Sequence, residues 1–149
     1  MEKITPGNEL FRLESEIRSK NADALRELVE HSTLTATEHI RRAAALYQLS
    51  MEMYEKGGDI HSVSEDGIAI IPLFDTNTKD TDERTRLSVN VNVETANLFQ
   101  SLGINDDDLN TTVLDNVINH YSEASARLRK GYKIIIQNPS GIQNELMFL

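Results

Sequence analysis

Arg86, Ser88, Asn90 and Asn92 stand two residues apart in the run RLSVNVNV, with Leu87, Val89, Val91 and Val93 filling the places between. A period of two belongs to a strand with one buried face, so the four polar side chains share the wet side. Their types suit base reading in a DNA major groove, where Asn can bond the adenine edge bidentately and Ser can donate or accept. The same pattern also suits an ordinary solvent-exposed strand face, where Asn and Ser are common. At Glu94 the spacing turns helical, with Ala96, Phe99 and Leu102 three apart.

The chain that positions this stretch has 149 residues and 39% hydrophobic content, enough for one domain or two small ones. Cysteine is absent, which excludes disulfides and thiolate metal sites and fits a reducing compartment. No apolar run approaches the roughly 18 residues of a membrane span, and MEKITPGNEL is too polar for a signal peptide. The composition predicts a cytoplasmic protein with no membrane contact. A net charge of -9 argues against loose affinity for phosphate backbones, so any DNA contact requires concentrating the few cations at the interface.

The sequence repeats itself at an offset of 74 residues. Twelve identities align without a gap, among them Arg12 with Arg86, Leu13 with Leu87, Thr37 with Thr111, Tyr47 with Tyr121, Gly57 with Gly131 and Gly67 with Gly141. About four would be expected by chance. Each copy therefore carries the same parts: copy one over 8–74, a polar linker over 75–83 and copy two over 84–149. In copy one the patterns predict a strand over 11–18, a helix over 21–31, a longer helix over 36–56 and a hairpin over 59–74 turning at Glu65-Asp66-Gly67. Gly57-Gly58 ends the long helix as a left-handed cap would. In copy two the corresponding elements are a strand over 86–93, helices over 94–103 and 110–130, and a hairpin over 133–148 turning at Asn138-Pro139-Ser140-Gly141.

Strand, short helix, longer helix is the order of the ribbon-helix-helix regulators. The wording RLSVNVNVETANLFQSL resembles their strand and first helix, TEHIRRAAALY resembles the middle of their second helix, and KGYKIIIQNPSG is similar to a hairpin that many members append. The resemblance implies an α+β, mainly helical fold. It would be a tandem ribbon-helix-helix pseudo-dimer, with paired N-terminal strands and an appended β-hairpin in each half. It implies double-stranded DNA as partner and a regulatory role, and it leaves room for further dimerisation; separately, the lack of any catalytic motif predicts no enzymatic activity. Ribbon readers would be Arg86, Ser88, Asn90 and Asn92 in copy two and Arg12, Glu14, Glu16 and Arg18 in copy one. Phosphates would be held at the start of each second helix, by Thr35 and Thr37 in one copy and Thr111 and Thr112 in the other.

Two features depart from that pattern. Glu14 and Glu16 place carboxylates where DNA would lie, although a Glu can accept from cytosine N4. Asp106, Asp107 and Asp108 precede the second long helix, where they favour the helix dipole and repel a phosphate. The acidity supports an alternative, a protein-interaction module that binds a protein partner and not DNA. His31, His39, His61 and His120 show no paired ligand spacing, so neither a metal nor another cofactor is expected. Arg41-Arg42 can clamp a backbone phosphate or serve an ordinary helix surface. No glycine-rich phosphate loop and no Gly-x-Ser-x-Gly is present.

Overall fold

In chain order the elements are β1 (Leu10–Arg18), α1 (Ser19–Glu30), α2 (Ala36–Glu55), β2 (Asp59–Ser64), β3 (Gly67–Ile70), β4 (Arg84–Asn92), α3 (Val93–Ser101), α4 (Thr111–Arg129), β5 (Lys133–Gln137) and β6 (Gln143–Leu146). The computed structural model describes residues 10–75, 79, 81–102 and 111–146, the side chains at 111 and 112 excepted. The order strand, helix, helix, strand, strand thus occurs twice.

The two period-two segments find each other: β1 and β4 form a two-stranded antiparallel ribbon, with Leu10 opposite Asn92 and Arg18 opposite Arg84. Leu13, Ile17 and Val91 are buried beneath it, and Leu87 and Val89 are half-buried against the same core. The second sheet has the strand order β3-β2-β5-β6, so the hairpins of the two copies join through β2 and β5. A unit that pairs with its own copy about a two-fold must set some residue opposite its counterpart. Glu14 faces Ser88 in the ribbon and His61 faces Ile135 in the second sheet. Both pairs are separated by the 74-residue repeat offset, so one local two-fold accounts for the register of both sheets.

The expected fold class is overturned. Among the described residues, two antiparallel sheets with six strands stand beside four helices, at 30% strand against 47% helix, so the fold is α+β and not a mainly helical tandem ribbon-helix-helix fold. Each half keeps its expected hairpin, β2 with β3 and β5 with β6, but neither hairpin stands alone. An isolated two-stranded hairpin is marginal in water. Pairing β2 with β5 gives both strands a second neighbour and lines up Ile60 with Ile136 and Ser62 with Ile134, all four of them buried.

The helices follow their apolar spacing. Ile40, Ala43, Ala44 and Tyr47 on α2 and Leu114, Val117, Ile118 and Tyr121 on α4 are buried in one core. Thr35 caps α2, its hydroxyl accepting from the Glu38 amide at 3.2 Å. At the far end Gly57, with φ of 91°, and Gly58 close the helix through bonds to the carbonyls of Tyr54 and Met53. Gly131 and Tyr132 repeat that closure on α4. Arg127 of α4 donates to Ser62 Oγ and to the carbonyls of Ala69 and Ile70, clamping the first copy's hairpin to the second copy's long helix.

Candidate nucleic-acid interface

Alternation along β1 and β4 turns Arg12, Glu14, Glu16, Arg84, Arg86, Ser88 and Asn90 away from the core, and all but the half-exposed Glu14 are exposed. Glu14 sits at the ribbon's centre. One carboxylate oxygen accepts from Arg12 Nε at 2.5 Å and the other from Arg86 Nη2 at 2.8 Å. Hydrogen bonding by Arg12, then by Arg86, holds its carboxyl below the usual range, so the group stays ionised and keeps both guanidinium groups over the ribbon. Three arginines against two glutamates leave this face net positive on a chain whose total charge is -9. Ser88 and Asn90 lie beside these arginines, with Asn90 opposite Arg12 and Glu16 opposite Arg86.

Two expected readers are committed elsewhere. Arg18 is 8% exposed, and its guanidinium donates to Asp115 at 2.8 Å and to Asp82 at 3.1 Å. Its backbone N–H and the Asn21 amide also bond Asp115, a fully buried carboxylate of α4. Asn92 is the N-cap of α3, its Oδ1 accepting from the Thr95 amide at 2.9 Å. The two positions are equivalent under the repeat, and both mark a strand-to-helix junction. Each is the last extended residue of its strand and the N-cap of the helix that follows, so its side chain is taken up by groups at the helix start and in the core.

The expected phosphate sites fare no better. The Thr35 hydroxyl is the α2 cap, and Thr37 donates to the Asn90 backbone carbonyl at 3.0 Å, which anchors the ribbon to the start of α2. The Thr111 and Thr112 side chains and residues 106–108 lie outside the described residues. Arg41 pairs with Glu38 on its own helix. Sequence reasoning missed Arg84, which extends the positive face by one more outward position, and Asp115, whose burial on α4 gave no signal in a single sequence.

Two of the histidines, His39 and His120, are structural. His39 bonds the Tyr121 hydroxyl and the Leu28 carbonyl, His120 bonds the Pro72 carbonyl and Ser50, and burial lowers the pKa of both. Among the described residues no three His, Asp or Glu side chains converge as a metal site. No helix of the described residues is long and apolar enough to cross a membrane. No protein-family model, curated protein or solved structure matches the chain.

Proposed function

We propose that this protein is a sequence-specific DNA-binding regulator that lays the β1–β4 ribbon in the major groove. The observation that carries this reading is the outward row of Arg12, Arg86, Ser88 and Asn90 on a paired ribbon whose other side is buried. Nine residues per strand give a ribbon about 30 Å long. A major groove about 12 Å wide admits two strands side by side. The likeness of the local wording to ribbon-helix-helix regulators supports the same reading. Asn90 offers a donor and an acceptor to adenine, and Arg12 and Arg86 offer paired donors to guanine.

The test separates reading from folding. Asn90→Ala removes an exposed amide, so specific affinity should fall by about 1–3 kcal/mol with the melting temperature unchanged. Asn92→Ala removes a helix cap, so stability should fall by about 0.5–2 kcal/mol. Anisotropy titrations at two salt concentrations, run beside thermal melts, measure both. Equal affinity in wild type and Asn90→Ala, or no binding at low salt, would sink the proposal.

A second reading, a protein-interaction module, is favoured by Glu14 and Glu16 on the ribbon and by Ile68 and Ile70, which stand 69% and 56% exposed on the outer strand of the second sheet. Co-purification of one stoichiometric protein and no nucleic acid would decide for it.

A further inference from the structure

The local two-fold passes between Glu14 and Ser88, and it maps the ribbon's two ends onto each other. Arg12 corresponds to Arg86, so each end carries the same cation, and both are tied to the one central carboxylate. The next outward positions differ. Asn90 stands beside Arg12 at one end, and its counterpart Glu16 stands beside Arg86 at the other. Asn donates and accepts, which matches the adenine edge, whereas an ionised Glu only accepts, which matches the cytosine amino group. The outermost positions differ as well, an apolar Leu10 at the Asn90 end and Arg84 at the Glu16 end, both exposed.

Two identical strands about a two-fold read the same bases twice, which calls for an inverted repeat. This ribbon keeps the two-fold geometry but carries unlike chemistry at its ends. Resting on the DNA-binding reading above, we infer that the target is a non-palindromic duplex, with adenine under Asn90 in one half-site and cytosine under Glu16 in the other. Positions 12 and 16 are four residues apart on β1, about 13 Å along the ribbon. With a rise of 3.4 Å per base, the two discriminated positions lie on the order of four base pairs apart.

Selection from random duplexes at low salt tests this with the full chain, Glu16→Asn and Asn90→Glu, each checked for a native circular dichroism spectrum. Both altered residues are exposed and hold no core contact. Wild type should enrich an asymmetric motif. Glu16→Asn should convert the cytosine half-site to adenine and yield an inverted repeat, and Asn90→Glu should convert the adenine half-site to cytosine. A roughly tenfold or larger preference at the switched position is expected in competition binding. An inverted repeat selected by wild type, or an unchanged motif from both variants, overturns the inference while leaving DNA binding standing. Failure of all three proteins to enrich any duplex overturns the DNA-binding reading, and this inference with it.

Discussion

Asn90 and Asn92 are chemically identical and two residues apart, yet one points into solvent and the other caps a helix. Residue type and period could place both on the wet side of a strand, but could not say where the strand ends. Arg18 illustrates the same limit more sharply, because its true partner Asp115 is 97 residues away. His120 shows how burial alone sets a residue's chemistry. It is fully buried, donates from Nδ1 to the Pro72 carbonyl at 2.8 Å and accepts at Nε2 from Ser50 at 2.9 Å, with Tyr47 edge-on to its ring. That arrangement suits the neutral ring, and burial holds the pKa down to about 4. In the unfolded chain the same histidine titrates near its ordinary value of about 6.5. Between these two values the unfolded state binds the extra proton, so stability is complete above pH 6.5 and falls as pH drops towards 4. Going from pH 7 to pH 5 should cost about 2 kcal/mol. His39 acts in the same sense, while the lowered carboxyls of Glu14, Glu38 and Asp82 matter only below their ordinary range. Urea unfolding at the two pH values checks this, with His120→Asn expected to flatten the dependence. A wild-type stability that is level between pH 7 and 5 would contradict it.

The elements themselves were largely legible. Period two found β1 and β4, the apolar spacing found α2 to within one residue of its end, and Gly57-Gly58 announced the helix stop. Within each hairpin the strand neighbours were legible as well, but the pairing of β2 with β5 across the two halves was not. Alternation tells which side chains are buried and is silent on which backbone lies alongside, so two private hairpins were expected where one four-stranded sheet forms. Gly58 records that pairing in a single residue. A Cβ there would lie 2.2 Å from the Gln137 carbonyl oxygen, a backbone atom at the end of β5 that cannot swing away. Gly57 has open space around it, and its need for glycine comes from its positive φ. Gly57→Ala should therefore cost about 1–2 kcal/mol through local strain and leave the sheet intact. Gly58→Ala should cost about 1–3 kcal/mol and specifically loosen the β2–β5 junction. Thermal melts give the size, and amide exchange along 59–63 and 133–137 gives the place. Unchanged protection there in Gly58→Ala would show that the close approach does not hold the two hairpins together.

At the scale of the whole molecule, neither sheet is complete within one half of the chain. β1 needs β4, β2 needs β5, and the core of α2 and α4 is shared. A separate half of about 70 residues would bury only some 60% of its surface and lose its ribbon partner. Pairing with a second copy of itself does not repair this. Under the two-fold, position 18 meets position 115 of the other half, and Arg41 is the residue equivalent to Asp115. Two first halves would set Arg18 towards Arg41, a second cation where Asp115 now stands, and Glu14 opposite Glu14, a like-charge pair directly across strands. Two second halves would bury Asp115 opposite Asn92, with no arginine to neutralise it, and an unpaired buried charge costs about 3–5 kcal/mol. The Arg18–Asp115 pair thus forms only between unlike halves, which makes it a device of specificity more than of strength. Residues 1–75 and 81–149 expressed separately should each lack cooperative unfolding by circular dichroism. Mixed in equal amounts they should regain helicity as a one-to-one complex in sedimentation, and Arg18→Met in the first piece should weaken that recovery. A folded homodimer of either piece would refute the argument, because it would show the unlike ionic pair to be dispensable for choosing the mate.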